Sequence, residues 1–549
     1  MILQKNDNIE AVIESLGYRG EGVARVDRVP VFVGGALPGE RVRAHVILVK
    51  KDYAVAKLTE VLSPSPDRTE PRCPYFGRCG GCNLQHIKYG AQLAYKRGAV
   101  ADALKKIAHI SADVGECVPS DSEYGCRNKL SLPVRRGRNG TEVGLFAYNS
   151  HRIVETEDCP LQTDAVRAVL PGLRRIAARF APYDETDGSG ELRHFVVRDL
   201  GGAVSLTAVL TSRSRGLRDR LADAASAELP GLGELWLNVN RSSGNVIMGG
   251  ETELVAGSRV PVDIMGMRTY VHPCGFMQVN PSVMRKLYTA VTEQAAAAAP
   301  DTIIDAYSGG GTLTALLAPH ARSVIGVEIE RAASESADEL VASLGLTNVR
   351  NICGDCAAVL PGLLAGVSGG SMVVLDPPRS GCAREVIDAV NACGASRVLY
   401  VSCNPSTLAR DLALLSNYEP VSVRPFDMFP QTCWVETLVL LSKKKPDSHI
   451  VVDVEFGEGE GKISLKDALK RAEGRKPKSK TTYKDIQNYV EENYGFKVHT
   501  AYIAEVKRNL GLPMYDAPNA VEELKRPRAH PTEKMVLAIK ETLAHFEII

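Results

Sequence analysis

A cysteine stands where an apolar run gives way to a helical pattern. The run at 398–401 reads VLYV, Cys403 follows Ser402, and the helical pattern begins at Ser406. Ligands of open α/β sheets bind at the carboxyl ends of strands, and the amino-terminal end of a helix favours a thiolate. The pattern therefore predicts a nucleophile. A small, buried core cysteine is the alternative, and partner groups must decide between the two.

Two acidic residues lie at the ends of other predicted strands. Asp376 follows the apolar run 372–375 and precedes two prolines, which restrict the backbone just beyond the acid. Glu436 precedes a final apolar strand at 437–441. The alternative for each acid is a solvated flank. With Cys403, they suggest methylation of a ring carbon: a thiolate adds to carbon 6 of uracil, carbon 5 attacks a methyl donor, and a base removes the carbon 5 proton.

A glycine-rich turn predicts the cofactor site. The strand at 302–305 leads into three glycines at 309–311, which let the backbone approach a ligand closely. Glu328 ends the next strand about 20 residues later, where an acid could bind ribose hydroxyls, and Asp355 follows the end of a third strand. The spacing is not G-x-G-x-x-G, which disfavours a dinucleotide. The three features resemble the S-adenosylmethionine site of Rossmann-like methyltransferases.

Four motifs extend this resemblance to one family, the RNA uracil-5-methyltransferases. They are DPPR at 376–379, VSCNPSTLARD at 401–411, DMFPQT at 427–432 and FMQVNP at 276–281. The resemblance covers roughly residues 8 to 442 and implies Cys403 as the nucleophile and Glu436 as the base. It also implies four main S-adenosylmethionine contacts, which are Gln278, Tyr307, Glu328 and Asp376. Thr312 and Asp355 match weaker contact positions.

The chain departs from the family pattern at two places. Ser308 stands where the family often has a cysteine, and Cys433-Trp434 stands where it often has a pair of histidines. Neither change removes a residue that the chemistry needs. Trp434 has two interpretations, stacking on a base or apolar packing.

A second group of cysteines has the spacing C-x5-C-x2-C. Its members are Cys73, Cys79 and Cys82. Three thiolates on a glycine-rich segment predict a metal or cluster site that needs a fourth ligand. Cys159 is our first choice, with Cys117 and Cys126 as rivals. The thiolates alone do not exclude zinc. Cluster-bearing members of the resembled family carry a Cys-Pro like the one at 159–160, so the resemblance implies a [4Fe-4S] cluster with a structural or RNA-positioning role.

The elements that position these residues form several domains, because 549 residues exceed a single core. Residues 8–62 alternate short β-rich runs with glycines, which predicts a small antiparallel barrel. The barrel resembles a TRAM domain, an RNA-binding module. Residues 126–265 are strand-rich, and residues 300–442 repeat strand, glycine-rich turn and helix, the pattern of a doubly wound sheet.

The predicted fold class is thus multi-domain, with a small β-barrel, a central β-rich domain, a Rossmann-like α/β methyltransferase and a helical extension. The extension contains two short helices around Gly495. They resemble a helix-turn-helix, although the pattern also fits any small helical packing unit. The predicted boundaries are 1–62 for the barrel, 63–97 for the cysteine loop and linker helix, 98–270 for a central RNA-binding domain, 271–443 for the methyltransferase and 444–549 for the extension.

Composition sets limits on partners and location. The 66 Lys and Arg face 65 Asp and Glu, so the global charge does not announce a nucleic-acid partner, while a local basic surface stays compatible with it. No apolar run approaches membrane-spanning length, and the amino terminus lacks the apolar core of a signal peptide. We therefore expect a cytoplasmic monomer with no membrane partner, whose 13 cysteines stay reduced.

The leading hypothesis is an enzyme that methylates carbon 5 of a uridine in 23S ribosomal RNA through a covalent cysteine–uracil adduct. It uses S-adenosylmethionine and carries a [4Fe-4S] cluster. A first alternative keeps the chemistry and changes the substrate to tRNA. A second alternative, from another class, is a non-catalytic RNA-binding assembly factor, which the presence of Cys403 and Glu436 disfavours.

Overall fold

The computed structural model describes residues 3–137, 140–367, 369–444, 483–510 and 531–545. The chain divides into two compact units, 1–448 and 449–549. The predicted multi-domain fold class is confirmed, with an amino-terminal β region, a central β-rich region and a carboxyl-terminal α/β fold. None of the described helices is long and apolar enough to cross a membrane.

The first region is a six-stranded sheet with the order β1-β5-β6-β4-β3-β2. Inward-facing residues of five of these strands share one core that includes Ile9, Ala24, Val33, Val42 and Ala56. The neighbouring strands are antiparallel except β4 and β6, which pair in parallel, so the prediction of a small antiparallel barrel is wrong at this pair. The strands are β1 (Asn8–Val12), β2 (Ser15–Leu16), β3 (Gly22–Val26), β4 (Val29–Gly34), β5 (Arg41–Val49) and β6 (Ala54–Ser63).

A linker helix, α1 (Tyr89–Ala103), continues into one π-helical turn at Leu104–Ala108 and leads to the central region. This region is a seven-stranded sheet with the order β13-β12-β11-β10-β7-β8-β9. Its strands are β7 (Lys129–Gly137), β8 (Gly140–Phe146), β9 (Ile153–Glu155), β10 (Leu192–Asp199), β11 (Val204–Leu210), β12 (Glu234–Val239) and β13 (Glu251–Gly257).

The central region also contains two helices, which the strand-rich pattern did not predict. They are α2 (Asp164–Ala177) and α3 (Arg215–Glu228). In α2, Val166, Leu170, Leu173 and Ile176 recur at helical spacing and pack on the sheet core. One face of the central sheet is therefore covered by helices.

The third region begins with a hairpin, β14 (Pro261–Ile264) and β15 (Met267–Tyr270), and a helix, α4 (Pro281–Ala298). Strands then alternate with helices: β16 (Thr302–Ala306), α5 (Thr312–Leu317), a 3-10 turn (Ala318–His320), β17 (Ser323–Glu328), α6 (Arg331–Ser343), β18 (Val349–Cys353), α7 (Cys356–Leu364), β19 (Ser371–Leu375), α8 (Arg384–Ala392), β20 (Arg397–Ser402) and α9 (Pro405–Leu414). Two further strands close the region, β21 (Tyr418–Phe426) and β22 (Glu436–Lys443).

The sheet of this region has the order β18-β17-β16-β19-β20-β22-β21. Five strands are parallel, and β22 is antiparallel to both of its neighbours. The strand order reverses between β16 and β19. In open α/β sheets, such a reversal opens a crevice at the carboxyl ends of the strands, where ligands bind.

The second compact unit contains three described helices, α10 (Tyr483–Tyr494), α11 (Thr500–Asn509) and α12 (Glu533–His545). Gly495 ends α10 with a φ of +74°, a conformation that glycine adopts without strain. Apolar side chains of all three helices share one core, which includes Val490, Ile503 and Ile539. This unit therefore has a core of its own. The rest of the predicted extension, 445–482, 511–530 and 546–549, lies outside the described residues.

Candidate active site

Strand pairing brings Cys403, Asp376 and Glu436 to one edge of the third sheet. β19 and β20 run in parallel with Leu375 opposite Tyr400, so Asp376 and Cys403 follow neighbouring strand ends. β22 runs the other way, with Thr437 opposite Ser402. Because of this antiparallel pairing, the first residue of β22 lies beside the last residues of β20. Glu436 thus reaches the carboxyl edge although it begins its strand.

The Cys403 thiol is half-buried and faces charges of both signs. Burial, and next the charge of Glu436, raise its pKa to about 11, with Asp376 acting in the same direction and the positive charge of Arg379 opposing the rise. The pKa of the thiol is therefore raised in the unliganded protein and not lowered as its place at a helix start predicts, and burial is the largest cause. Cys403 holds its proton at neutral pH.

The acids of this edge also hold protons. Burial, and next the charge of Asp376, raise the pKa of Glu436 well above its ordinary value, against the opposing charge of Arg379. Burial, and next the charge of Asp305, raise the pKa of Asp376 to about 7. Burial raises the pKa of Asp305 to about 7 as well, although the Thr314 hydroxyl donates to its Oδ2 at 2.6 Å. The edge can therefore accept and release protons near neutral pH.

A cavity beside these acids collects four of the six predicted cofactor residues. Its lining includes Gln278, Tyr307, Thr312 and Asp376. Glu328 lies behind the glycine loop, where its Oε2 accepts a hydrogen bond from the Gly309 N–H at 2.9 Å. This contact orders the loop from the end of β17.

Asp355 has a different role in the structure. It is the N-cap of α7, where its Oδ1 accepts a hydrogen bond from the Ala357 N–H at 3.0 Å. It is not among the residues that line the cavity. The structure therefore does not bring Asp355 together with the other predicted cofactor residues.

The glycine loop requires glycine at Gly311. Its φ is +75°, and a Cβ atom there would lie 2.6 Å from the Cβ of Ala337 on α6. Tyr307 also has a positive φ of 63°, which is uncommon for a residue with a side chain. Such backbone strain persists where the surroundings enforce it and is frequent at functional sites.

Sequence reasoning overlooked two residues of this site. Asp305 is the last residue but one of β16 and lines the cavity, and Tyr288 lines the same cavity from α4. Burial raises the pKa of Tyr288, and the charges of Asp376, Asp305 and Glu436 act in the same direction. The sequence could have marked Asp305, because it is an acid at the end of the predicted strand 302–305. Tyr288 belongs to a Leu-Tyr pair at 287–288 that also matches the resembled family, but the sequence assigned it no role.

The loop that leads to Glu436 is held by α1. Lys96 and Asp427 form an ion pair with no exposed side-chain surface, and the Lys96 ammonium donates to the Phe429 carbonyl at 3.0 Å. The Gln92 amide donates to the Gln431 side chain at 3.0 Å and accepts from the Gln431 N–H at 3.1 Å. The linker helix therefore fixes the segment from which the candidate base projects.

The candidate cluster cysteines lie together at a separate place. Cys73, Cys79, Cys82 and Cys159 line one cavity of about 200 Å³, and the rivals Cys117 and Cys126 do not line it. Burial raises the pKa of Cys82 to about 12, and Arg127 opposes this effect by its charge. Among the described residues, no group of three or more His, Cys, Asp or Glu side chains is arranged to hold a metal ion.

Comparison with known proteins identifies two domain families in the chain. Residues 4–59 match the TRAM domain, and residues 367–444 match the tRNA (uracil-5-)-methyltransferase family. An uncharacterized RNA methyltransferase of Clostridium tetani is 34% identical over 447 residues, which cover 80% of this chain and 97% of the relative. One from Halalkalibacterium halodurans is 36% identical over 450 residues, 80% of this chain and 98% of the relative.

One solved structure resembles most of the chain. It is the tRNA (uracil-54, C5)-methyltransferase of Pyrococcus abyssi in complex with S-adenosyl-L-homocysteine. It aligns with a TM-score of 0.63 and 25% sequence identity, over 79% of this chain and 100% of the other.

Proposed function

The chain belongs to the RNA methyltransferases of the tRNA (uracil-5-)-methyltransferase type, with a TRAM domain at its amino terminus, and from this premise we propose its substrate and mechanism. The proposed reaction is methylation of carbon 5 of a uridine in 23S ribosomal RNA, through a covalent bond between Cys403 and carbon 6. Family membership disfavours the alternative of a non-catalytic assembly factor.

The observation that carries the mechanism is the convergence of Cys403, Asp376 and Glu436 on the carboxyl edge of one sheet. S-adenosylmethionine supplies an electrophilic methyl group when it is bound. Cys403 loses its proton to solvent, and its sulfur adds to carbon 6, so that the electrons of the 5,6 double bond move to the carbon 4 oxygen and carbon 5 becomes nucleophilic. Once carbon 5 carries the methyl group and S-adenosylhomocysteine has left, Glu436, as its carboxylate after loss of its own proton, takes the carbon 5 proton, the double bond forms again, and the sulfur leaves.

The residues proposed for the cofactor site lie at three places, namely the cavity, the glycine loop and the start of α7. Gln278, Tyr307, Thr312 and Asp376 line the cavity and are proposed to contact S-adenosylmethionine. Glu328 is proposed to act at the glycine loop, where it already accepts from the Gly309 N–H. We propose the weakest contribution for Asp355, because its carboxylate caps α7.

The ribosomal substrate is proposed because the chain combines a TRAM domain with the cysteine cavity. The tRNA alternative also has a specific observation in its favour, since the Pyrococcus abyssi neighbour is a tRNA methyltransferase that aligns over its whole length. Transfer of labelled methyl groups to 23S ribosomal RNA and to tRNA, in separate reactions, tests both. We expect label in 23S ribosomal RNA alone. Label in tRNA alone would establish the alternative, and label in neither would defeat the proposed function.

We further propose a [4Fe-4S] cluster on Cys73, Cys79, Cys82 and Cys159. Four thiols around one cavity suit a cluster of several atoms that would fill the space between them. Arg127 lines the same cavity, and its Nε atom is buried without a hydrogen-bond partner. Burial raises the pKa values of Cys79, Cys82 and Cys159, and the positive charge of Arg127 opposes this rise at all three thiols, as a site for ligating thiolates requires. The cluster would cross-link the cysteine loop to the central region and keep both in place.

Iron and acid-labile sulfide analysis of protein purified without oxygen tests the cluster. We expect about four of each per wild-type chain and a loss of most of both in Cys159→Ser. Cys126→Ser is the matched control, because Cys126 is a buried cysteine outside the cavity. Equal iron in the two variants would contradict the ligand set. We also propose that the protein is a cytoplasmic monomer, and light scattering tests the oligomeric state.

A further inference from the structure

One loop of the TRAM domain, residues 17–21, reaches out of its own sheet. The loop is closed by the Gly17 N–H, which donates to the Glu21 carbonyl at 2.7 Å. The Tyr95 hydroxyl of α1 lies 2.8 Å from the Gly17 carbonyl and 3.1 Å from the Tyr18 carbonyl. The side-chain amide of Asn83 donates to the backbone carbonyl of Arg19, the next residue of the loop, at 2.7 Å. The loop is therefore anchored by the linker segment and not only by the barrel.

The side chain of Tyr18 leaves the barrel and contacts the residue that follows the candidate nucleophile. Its hydroxyl donates to Asn404 Oδ1 at 2.7 Å. Tyr18 is not part of the barrel core, and 43% of its surface is exposed. The stability of the barrel thus gives no reason for this contact.

Asn404 connects three elements at the active-site edge. It is the N-cap of α9, where its Oδ1 also accepts from the Ser406 N–H at 3.1 Å. Its Nδ2 donates to the Arg379 carbonyl at 3.2 Å. The Tyr18 hydroxyl therefore fixes a side chain that sets the start of α9 and the backbone of Arg379.

A second contact route starts at the ring of Tyr18. The ring meets Trp434 edge to face, with 6.1 Å between the ring centroids. The guanidinium carbon of Arg379 lies 4.8 Å from the centroid of the Trp434 ring, within the range of a cation–π interaction. The positive charge of Arg379 in turn opposes the rise in the pKa of Cys403 that burial and Glu436 cause. Both routes from Tyr18 therefore end at Arg379, a cation that acts on the Cys403 thiol.

We propose that Tyr18 of the TRAM domain is a positioning residue of the active site, which holds Arg379 against Cys403 through Asn404 and Trp434. The proposal rests on the role of Cys403 as the nucleophile in the proposed function. It gives the TRAM domain a part in the chemical step in addition to RNA binding. Loss of the Tyr18 hydroxyl should loosen Arg379. The positive charge of Arg379 would then offset less of the effect that Glu436 and Asp376 have on the pKa of Cys403.

The test compares Tyr18→Phe, which removes only the hydroxyl, with Tyr53→Phe. Tyr53 is a matched control, because it is a partly exposed tyrosine of the same barrel whose ring meets Phe32. The first readout is the rate at which iodoacetamide alkylates Cys403 in the free protein between pH 7 and 10, followed by peptide mass spectrometry, with the exposed Cys353 as internal reference. We expect Tyr18→Phe to slow alkylation of Cys403 about 3- to 10-fold at pH 8 and to shift its pH profile upward.

The second readout is the single-turnover rate of methyl transfer, with RNA affinity measured separately. In Tyr18→Phe we expect a rate about 3- to 10-fold lower and an RNA Kd within about twofold of wild type, and in Tyr53→Phe no change. Alkylation and turnover that match wild type would overturn the proposal, and so would a loss confined to RNA affinity. The alkylation measurement needs no RNA, so it decides the role of Tyr18 even if the wild-type protein methylates neither RNA.

Discussion

The active-site edge and the cysteine cavity both bury thiols, yet their neighbours differ. Cys403 faces two carboxyl groups and Arg379, and its pKa rises to about 11. In the cavity, Cys79 and Cys82 face other cysteines together with Arg127. Burial alone therefore does not separate the two roles. The acids beside Cys403 can exchange protons with a substrate, whereas the shared thiols of the cavity can only bind a common partner. Substitutions at the two places should therefore have different effects on methyl transfer and on iron content.

The largest effect is expected from removing the nucleophile. Cys403→Ala should lower methyl transfer by at least about three orders of magnitude, because no other group forms the bond to carbon 6. Its iron content should equal that of wild type, since Cys403 lies outside the cavity. Activity and iron assays on one preparation measure both. Substantial residual turnover would remove the contrast between the two regions.

The second effect concerns the base. Glu436→Gln keeps the shape of the side chain and removes the carboxylate, so turnover should fall about 10²- to 10⁴-fold. Because elimination needs the base, the covalent complex with RNA should accumulate and appear as a slow band on a denaturing gel. Loss of turnover without that band would place Glu436 before adduct formation instead of after it.

The third prediction is the pH dependence of adduct formation. With a thiol pKa of about 11, the thiolate fraction rises about tenfold per pH unit between pH 6 and 9. The rate of adduct formation should follow it, as rapid-quench experiments would record. A rate that levels off near pH 7 would show that bound RNA lowers the thiol pKa to ordinary catalytic values.

The smallest effect is on stability. The pKa of Asp376 is raised to about 7 in the folded protein, so the folded state binds more protons than the unfolded state between about pH 4 and 7. Stability from this group is therefore present below about pH 4 and falls as the pH rises to 7. Asp376 keeps part of its surface in solvent. Asp376→Asn should thus stabilise the unliganded protein by about 1–3 kcal/mol at pH 8 and by little at pH 4.

Urea unfolding at both pH values measures this difference. Asp52→Asn serves as the control, because Asp52 is exposed on the barrel and its substitution should change stability by less than about 0.5 kcal/mol at either pH. Equal stabilities of Asp376→Asn and wild type at pH 8 would mean that the carboxyl group is solvated in the folded protein.

The sequence predicted the strand ends of the site, because each apolar run is followed by a residue that could be an acid, a base or a nucleophile. Cys403 and Asp376 follow this rule. Glu436 does not, since only the antiparallel pairing of β22 brings its first residue to the carboxyl edge. The protonated state of Cys403 was not readable either, because it depends on burial and on acids from distant strands.

Long-range contacts account for most of the other omissions. Tyr18 and Asn404 are 386 residues apart, and no local pattern joins them. Lys96 was predicted only as part of a helix, and its buried partner Asp427 comes from a loop of the third region. Helices α2 and α3 escaped notice because the strands around them dominate the composition of the central region.

The central claim is that Cys403 forms a covalent bond with the target uridine. A 23S ribosomal RNA fragment with 5-fluorouridine at its uridines tests it directly, because a base cannot remove fluorine from carbon 5 and the adduct persists. We expect a stable complex of protein and methylated RNA, and peptide mass spectrometry should place the bond at Cys403. A bond at another cysteine, or methylation of ordinary 23S ribosomal RNA with no adduct on the fluorinated fragment, would contradict the account.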